Sequence, residues 1–460
     1  MKKERKYIAL RIKIAASFFL TVLLFTIVAG VIRTGMFIHS KNQDMQLGAI
    51  TLEKKKTELV CGDIFDCHKR PIVTNAEKGM VSSPPVEYTY LIGGFDTVLG
   101  NTGVYCINQR TVYEKESWFS NKGKSLLLTI DDQLQRKCFA LTKGTESSIC
   151  VLERKSGKLR ALTSTDQKYD LDLTLPISEE MQTYIENKPG FYVPNYSEAI
   201  YPGSVFKIFT TALLCENGES EFTVEDKGYL TFDNKGEVNN FESISYGLCK
   251  LDSAFVHSSN VYFAAAANEV GAQAFQNLYN KMNISNIKTD FGEVNVSLNI
   301  SDSPSDFELA QLGYGQYCSM DTVSIAVMTQ ALIQEGKAYK PHVVAATARN
   351  NGESLEIIDE VPEEVLSDNI VNKSTSDKII SLMRSAAKNY GFKDGILSKT
   401  GTSEIVDDVE KETKDRAVMV IADDTYIVVI STIKAGMFGI DHKNKAEKIM
   451  DYLQQNKDKM

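Results

Sequence analysis

The stretch Tyr201-Pro-Gly-Ser-Val-Phe-Lys207 opens an apolar run that ends at Asn217-Gly218. Pro202-Gly203 is a turn signal, and the residues after it are apolar on nearly every face, which predicts a buried helix. Ser204 is therefore predicted at the N-terminus of this helix, with Lys207 on the same face one turn later. Free backbone amides and the helix dipole at this end favour developing negative charge.

Ser204 and Lys207 form a candidate nucleophile and base. A serine hydroxyl attacks poorly until a base takes its proton, and Lys207 can be that base only when it is neutral. Neutralising a free lysine, with a pKa of ~10.4, costs roughly 4–5 kcal/mol at pH 7. Apolar neighbours and a second cation both lower that cost. The same S-x-x-K pattern recurs at Ser285-Asn-Ile-Lys288, but the turn and the buried helix favour Ser204.

An S-x-N pattern occurs three times after this segment, at Ser258-Ser-Asn260, Ser297-Leu-Asn299 and Ser367-Asp-Asn369. The third lies in the acidic, polar stretch 363–378, which is typical of a surface loop and a helix start. The first precedes the apolar run 261–267, which is typical of a protein core. Because a residue that faces Ser204 in a dry cleft needs such anchoring, the sequence favours Ser258.

Ser258 and Asn260 suit two supporting roles. A serine hydroxyl can relay a proton, here between Lys207 and a leaving amine. An asparagine amide both donates and accepts hydrogen bonds, so Asn260 can hold an amide of a substrate and bond to Lys207.

Lys399-Thr-Gly-Thr402 occurs once and completes the candidate site. The ammonium of Lys399 and the hydroxyls of Thr400 and Thr402 suit a substrate carboxylate. Gly401 has no side chain, so a substrate backbone is expected to approach it and pair with the chain. The backbone amides of Ser204 and Thr402 are predicted to form an oxyanion hole.

The remaining pattern predicts an α/β fold of the α+β type. Four short apolar strands are predicted in two hairpins, at residues 148–152, 159–163, 417–422 and 426–431. Helical patterns fill the middle of the chain, including one with Asp321 as its N-cap, and a helical tail covers 445–453. Strands at both ends with helices between them indicate one antiparallel sheet, built from both ends and flanked by helices.

Composition excludes several classes of function. The 460 residues allow two or three domains, and the net charge of −9 argues against a nucleic-acid binder. Eight scattered cysteines permit disulfides, with Cys61 and Cys67 the nearest pair, but free thiols are equally consistent. Neither the cysteines nor the five histidines show ligand spacing, so no metal and no cofactor is predicted.

The N-terminal part of the sequence predicts a membrane anchor. Residues 14–32 carry no charge, and at ~1.5 Å per residue such a run spans a hydrocarbon core of roughly 30 Å. Basic residues precede it, which predicts a cytoplasmic tail over 1–13, an anchor over 14–35 and the rest outside the cell. A cleavable signal peptide is the alternative. Residues 36–124 are then a linker or pedestal next to the membrane, too short for a second large catalytic domain.

Several strings together match the pattern of one protein family. The three motifs occur in the order that the family has. Three further strings accompany them: Gly62-Asp-Ile-Phe-Asp66, Leu312-Gly-Tyr-Gly-Gln316 and Gly336-Lys-Ala-Tyr-Lys-Pro-His342. The region from about Leu126 to Leu453 resembles the transpeptidase domain of class B penicillin-binding proteins. The resemblance implies a transpeptidase and serine β-lactamase-like fold over residues 125–460, with the K-T-G motif on the strand that lines the cleft. Cys61 stands where the family usually has an arginine.

The resemblance also implies an activity. Ser204 would attack the penultimate D-alanine carbonyl of a peptidoglycan stem peptide, release D-alanine, and pass the acyl group to an amine of a neighbouring stem. β-Lactam antibiotics would acylate the same serine. A D,D-carboxypeptidase or a β-lactamase uses the same residues with water as acceptor. A β-lactam sensor and a non-catalytic scaffold of wall synthesis are alternatives of another class. By analogy, a separate membrane glycan polymerase of the SEDS type is the expected partner.

Overall fold

The structure is a computed structural model. It describes residues 55–56, 58–78, 81–97, 100–142, 145, 147–165, 200–232, 236–294, 296–301, 303–406, 413–433 and 440–457. The predicted cytoplasmic tail and anchor, residues 1–35, and the first part of the predicted linker lie outside these residues. Among the helices of the described part, none is long and apolar enough to cross a membrane.

The first half of the described chain contains thirteen strands. They are β1 (Ile64–Phe65), β2 (Pro71–Val73), β3 (Gly94–Thr97), β4 (Gly100–Thr102), β5 (Ser125–Leu128), β6 (Ser147–Glu153), β7 (Leu159–Thr165), β8 (Thr223–Asp226), β9 (Tyr229–Phe232), β10 (Gly236–Asn239), β11 (Gly247–Lys250), β12 (Ile287–Lys288) and β13 (Glu293–Val294). The strands of the second half are β14 (Val296–Leu298), β15 (Cys318–Met320), β16 (Ala338–Tyr339), β17 (Val344–Asn350), β18 (Leu355–Glu360), β19 (Val365–Ser367), β20 (Leu397–Val406), β21 (Thr413–Ala422) and β22 (Tyr426–Ile433).

The α-helices of the described residues concentrate in the middle of the chain. They are α1 (Thr89–Ile92), α2 (Gly103–Ile107), α3 (Gln109–Val112), α4 (Asp132–Thr142), α5 (Lys207–Glu216), α6 (Leu251–His257), α7 (Asn260–Val270), α8 (Ala272–Met282), α9 (Asp306–Gly313), α10 (Thr322–Ile333), α11 (Lys373–Asn389) and α12 (Ile440–Asn456). Single 3-10 turns cover Val86–Tyr88, Gly203–Phe206 and Phe241–Ser243.

The main sheet has five strands in the order β20-β21-β22-β6-β7, and every neighbouring pair is antiparallel. Both predicted hairpins are therefore confirmed, and β22 pairs with β6, which joins the two ends of the chain. Long apolar strands form this sheet because both of its faces are covered by helices.

Side chains of the main sheet alternate between two cores. In β21, Val418 and Val420 belong to the large core under the central helices, where α10 packs on β6 and β22. Met419 and Ile421 point to the opposite face and pack with Leu134 of α4 and residues of α12. This period of two is what a strand requires, since successive side chains leave a strand on opposite faces.

A second sheet of five strands has the order β18-β17-β5-β1-β2. Strand β5 pairs in parallel with β1, where Leu126 lies opposite Ile64, and antiparallel with β17, where Leu126 lies opposite Thr347. Residues 64–73 are thus hydrogen-bonded into a sheet with strands from the middle and the later part of the chain.

The central helices form the layer that positions the candidate site. The predicted N-cap of α10 is confirmed, since the Asp321 carboxylate accepts a hydrogen bond from the Ser324 amide at 2.6 Å. The rings of Phe206 and Phe209 stack with centroids 4.8 Å apart, and Phe275 of α8 stacks on Phe209 at 6.0 Å.

All eight cysteines are free thiols.

Candidate active site

Ser204 lies in a 3-10 turn, not in the first turn of an α-helix as the sequence predicted. The turn Gly203–Phe206 leads directly into α5, whose first residue is Lys207. Ser204 is half-buried, whereas the side chain of Lys207 is completely buried. The expected spacing of one turn is therefore kept, and the serine is more exposed to solvent than the lysine.

The turn that carries Ser204 is clamped between two glycine-containing segments. Gly203 has a φ of +55°, and its amide donates to the Gly315 carbonyl at 3.0 Å. A Cβ on Gly315 would lie 2.1 Å from the Gly203 carbonyl oxygen, and a Cβ on Gly203 would lie 2.6 Å from the Thr402 oxygen. Only glycine permits these approaches. The string Leu312-Gly-Tyr-Gly-Gln316 thus supports the back of the nucleophile turn.

Gly401 also faces this turn. A Cβ on Gly401 would lie 2.4 Å from the Pro202 carbonyl oxygen and 3.0 Å from the Ser204 amide nitrogen. The absence of a side chain at Gly401 is therefore already required by the packing of the turn on β20, apart from any approach of a substrate. Since β20 is an edge of the main sheet, backbone pairing of a substrate with this strand stays a prediction.

The structure brings the three motifs together around one hydroxyl group. The Lys207 Nζ donates to the Asn260 Oδ1 at 2.7 Å, to the Ser258 carbonyl at 2.6 Å and to the Ser258 Oγ at 3.2 Å. The Lys399 Nζ donates to the same Ser258 Oγ at 2.9 Å and to the Thr400 carbonyl at 3.0 Å. Because two amines donate to the Ser258 oxygen, its own proton is directed away from them and is available for transfer.

The backbone of Ser258 is bent to present this hydroxyl. Its φ of +58° and ψ of +39° are left-handed, and it lies between the end of α6 and the start of α7. A non-glycine residue adopts this conformation at a cost in free energy and is held there by its surroundings. The break between the two helices therefore aims Ser258 and Asn260 at Lys207.

The environment of the two lysines favours loss of a proton near neutral pH. Burial lowers the pKa of Lys399 to about 7. Burial, and then the neighbouring Lys399 cation, lower the pKa of Lys207 well below its ordinary value, while the negative charge of Asp226 opposes them. Apolar surroundings and a second cation are the two causes that a lysine base needs in order to be neutral at this pH.

Lys399 differs from its expected role in one respect. Its side chain is completely buried and its Nζ is bonded to Ser258 and to the carbonyl of Thr400, so it does not present its charge at the open surface of the cleft. Thr402 is exposed, and the Thr400 hydroxyl shares a hydrogen bond with the Tyr390 hydroxyl. In this arrangement Thr402 is the motif residue most open to a substrate carboxylate.

A buried network behind the site was missed in the sequence. The Asp226 Oδ2 accepts hydrogen bonds from the Ser259 Oγ at 2.6 Å and the Asn240 Nδ2 at 2.8 Å. The Asn240 Oδ1 in turn accepts from the amides of Asn260 at 2.8 Å and Val261 at 3.1 Å. This network holds the segment that carries Ser258 and Asn260 against Lys207.

The local sequence offers only a weak signal for this network. The Asp226 Oδ1 accepts from the Gly228 amide at 2.8 Å, which is a local turn contact of an ordinary kind. Nothing in that contact indicates that Asp226 also reaches Ser259, because the two meet only after α6 and α7 have packed.

The alternative motif strings lie outside this cluster. Ser285 and Lys288 are exposed, and so are Ser297 and Asn299. The Ser367 hydroxyl, at the end of β19, donates to the carbonyl of Lys281 at 2.7 Å. The choice of Ser204 and Ser258 over these strings agrees with the geometry.

One group of side chains with metal-ligand chemistry occurs in the described part of the chain, away from the three motifs. The ligand atoms of Cys67, His68 and Asp131 lie within 4.8 Å of one another. However, the His68 Nε2 is hydrogen-bonded to the Asp131 Oδ2 at 2.8 Å, and the Asp131 Oδ1 accepts from the Leu134 amide of α4 at 2.7 Å. These contacts account for the arrangement without an ion.

A serine in a turn before a buried helix, a lysine in that helix and a second buried lysine on the edge strand of an antiparallel sheet form the arrangement typical of penicillin-recognising acyl transferases. Residues 147–453 match the family described as penicillin binding protein transpeptidase domain. Because the match covers more than half of the chain, the chain belongs to this family. The family that the motifs indicated is thereby confirmed.

Named relatives resemble part of the chain. Penicillin-binding protein PbpB of Mycolicibacterium smegmatis is 25% identical over 309 residues, which are 61% of this chain and 45% of the relative. Peptidoglycan D,D-transpeptidase MrdA of Haemophilus influenzae is 27% identical over 252 residues, 49% of this chain and 37% of the relative. The chain thus spans less than half of the length of these relatives.

Solved structures share the fold. PBPA of Mycobacterium tuberculosis superimposes with a TM-score of 0.72 at 18% sequence identity, covering 85% of this chain and 99% of that one. The D,D-transpeptidase domain from Eggerthella lenta also gives 0.72, at 19% identity, with coverage of 87% and 99%. The predicted mixed α/β transpeptidase fold is therefore confirmed.

Proposed function

We propose that this chain is a peptidoglycan D,D-transpeptidase that works through an acyl-enzyme on Ser204 and binds penicillin there. The observation that carries the proposal is the cluster in which the buried amines of Lys207 and Lys399 both donate to the Ser258 hydroxyl, with Lys207 one turn after Ser204. Family membership and the relative named peptidoglycan D,D-transpeptidase support the assignment of substrate.

Acylation follows from the positions of the side chains. Neutral Lys207 takes the proton of Ser204, whose oxygen bonds to the carbonyl carbon before the terminal D-alanine. The amides of Ser204 and Thr402 are proposed to hold the oxygen that becomes negative. Protonated Lys207 passes its proton through the Ser258 hydroxyl to the leaving nitrogen, so the C–N bond breaks as free D-alanine departs.

Deacylation runs these proton transfers in reverse. An amine of a second stem peptide loses its proton to the Ser258 and Lys207 pair and attacks the ester carbonyl. The Ser204 oxygen then leaves and recovers a proton from Lys207. If water replaces the amine, the same steps give a D,D-carboxypeptidase or, with a lactam, a β-lactamase. The acceptor depends on cleft shape, so hydrolysis is the second candidate.

Labelling with a fluorescent penicillin tests the nucleophile. Wild type and Ser285→Ala are expected to be labelled, because Ser285 is exposed and outside the cluster, and Ser204→Ala is expected to lose the label. Labelling that survives Ser204→Ala would refute the assignment. A D-Ala-D-Ala stem offered with an amine acceptor then separates cross-linked product from hydrolysed product, and labelling without either product would favour a sensor or scaffold.

We further propose a single-pass location in the bacterial cell membrane, with a cytoplasmic N-terminus and the catalytic part outside. The support is the uncharged run 14–32 and the basic residues before it. Residues 36–124 would then be the membrane-proximal pedestal, and a SEDS-type glycan polymerase the partner that supplies strands. Protease added to intact spheroplasts should digest the catalytic part if this topology holds, while an epitope at residue 1 survives.

A further inference from the structure

Two aromatic side chains are held in solvent by a turn in the N-terminal part of the described chain. The Ser120 amide donates to the Ser117 carbonyl at 3.3 Å, so Trp118 and Phe119 occupy the two central positions of the turn. Trp118 is 94% exposed and Phe119 is 102% exposed. Such positions usually carry glycine, asparagine, aspartate, proline or serine. Two adjacent exposed rings indicate a contact with something outside the described fold.

Residues 117–120 are called the aromatic turn. Its base is hydrogen-bonded to strand β17. The Glu116 carbonyl accepts hydrogen bonds from the Arg349 Nε at 3.2 Å and Nη2 at 3.1 Å. The Glu116 carboxylate accepts from the Asn350 amide at 3.2 Å and the Ser120 Oγ at 2.9 Å. These bonds hold the backbone of the turn in place, so a partner surface meets a turn that is already ordered.

The aromatic turn also lies beside the segment through which the chain arrives from the predicted anchor. The Val60 amide donates to the Asn121 carbonyl at 2.8 Å, and the Gly123 amide donates to the Val60 carbonyl at 2.9 Å. Lys115 is exposed at the base of the turn, and the half-buried Lys55 and Lys56 lie shortly before Val60. Aromatic rings together with lysines are the composition found where proteins meet lipid headgroups.

We propose that Trp118 and Phe119 insert into the outer headgroup region of the membrane and give the chain a second contact with the bilayer. The inference rests on the membrane anchoring proposed above. An anchor alone fixes one end of a chain, whereas a second contact restricts the orientation of the catalytic part. Because an anchored chain is tethered to the bilayer, a weak intrinsic affinity of the turn for lipid is sufficient for occupancy.

Trp118 is the sole tryptophan of the sequence, so tryptophan fluorescence reports on this position alone. The full chain is placed in nanodiscs of phosphatidylcholine with anionic phosphatidylglycerol, and in matched discs whose phosphatidylcholine is brominated. We expect emission at a shorter wavelength than that of tryptophan in water, and a loss of about half or more of the intensity in brominated discs, since an inserted ring contacts the lipid. Wild-type emission that is equal in both kinds of disc overturns the proposal.

Other occupants give different results. Protection of Trp118 from iodide without quenching by bromine means that residues 36–54, a second copy or another protein covers the turn, and this also overturns the proposal. A chain that fails to co-purify with nanodiscs refutes the anchoring itself, and the insertion proposal falls with it. Co-purification with unquenched emission refutes the insertion alone.

A matched variant moves the probe. Trp118→Ser combined with Tyr229→Trp places the single tryptophan on β9, at a residue that is 49% exposed, and its emission is expected to be equal in both kinds of disc. Trp118→Ser with Phe119→Ser is expected to keep full labelling by soluble penicillin, which shows that the fold is intact. Quenching of the β9 probe equal to that of wild type would make the wild-type result non-specific and overturn the proposal.

Discussion

Lys207 and Lys399 are both completely buried and both donate to the hydroxyl of Ser258, yet their surroundings differ. The low pKa of Lys399 is caused by burial. The pKa of Lys207 is set by burial and by two opposed charges, the Lys399 cation that lowers it and the Asp226 anion that raises it. Lys207 is thus the amine whose protonation the site can adjust from two sides, which suits a residue that must accept and return a proton.

The largest expected effect comes from removing the adjustable amine. Lys207→Met retains the bulk of the side chain but has no base, so the rate of penicillin acylation is expected to fall roughly 10²- to 10⁴-fold. Stopped-flow measurement of acylation gives this rate, and retention of the wild-type melting temperature or a higher one shows that the variant folds. An acylation rate within threefold of wild type would assign the base elsewhere.

The second-largest effect is expected from a substitution at the contact between β20, which carries Lys399, and the turn that carries Ser204. Gly401→Ala places a methyl group where the Pro202 carbonyl oxygen lies 2.4 Å away, so β20 and the turn must separate. Such overpacking costs about 1–3 kcal/mol. We expect a lower melting temperature and a fall of about tenfold or more in acylation rate, measured by thermal unfolding and by labelling kinetics. A melting temperature and an acylation rate equal to those of wild type would show that the Ser204 turn relaxes freely.

The pH dependence of acylation separates the two lysines. Since the reaction needs a neutral Lys207, the wild-type rate is expected to rise as the pH passes through the pKa of Lys207, which burial and the Lys399 cation hold well below its ordinary value. Lys399→Met removes the cation that lowers the pKa of Lys207, so the midpoint of this rise is expected to move to higher pH. An unchanged midpoint in this variant would contradict the coupling.

The same shifts affect stability. Both lysines have a lower pKa in the folded protein than in the unfolded chain, so the unfolded chain binds more protons between about pH 7 and the ordinary lysine range. The free energy of unfolding should therefore rise with pH across this window as far as these two groups are concerned. Denaturant titrations at several pH values measure this rise in the free energy of unfolding, which should be smaller in Lys399→Met than in wild type.

A smaller effect of opposite sign is expected from the anion behind the site. Asp226→Asn removes the charge that raises the pKa of Lys207, so the acylation midpoint is expected to move to lower pH. The variant also disturbs buried hydrogen bonds to Ser259 and Asn240, at a cost of about 1–3 kcal/mol in stability. Acylation profiles of the two variants, measured side by side, should shift in opposite directions. A shift of both to higher pH would indicate that Asp226 acts only by positioning.

The smallest effect should come from the literal S-D-N string. Ser367→Ala removes a hydroxyl that bonds to the Lys281 carbonyl at the end of β19, away from both lysines. Its acylation rate and pH midpoint are expected to equal those of wild type, with stability within about 0.5 kcal/mol. A clear loss of acylation in Ser367→Ala would challenge the choice of Ser258.

Much of the site could be predicted from the sequence because its chemistry is carried by short strings. Ser204 and Lys207 are one turn apart, and Ser258 precedes an apolar run. The positions of these three residues therefore follow from local sequence pattern. The strands of the two hairpins follow from their apolar residues and turns. Each of these features depends on residues close in the chain, which is the range over which helix and strand patterns act.

Other features arise only where distant segments meet. The Ser204 turn packs closely on Gly315 and on β20, and the Lys399 amine reaches the Ser258 hydroxyl because β20 packs beside the helices. Asp226 reaches Ser259 only after two helices have packed.

The sequence by itself predicted which residues are the nucleophile, the amines and the relay, and it indicated the family, which the family match confirms. The tertiary structure decided that the two lysines share one hydroxyl and that one of them has an anion behind it. The physical reason is that a pKa depends on burial and on charges in space, and neither is defined until the chain has folded.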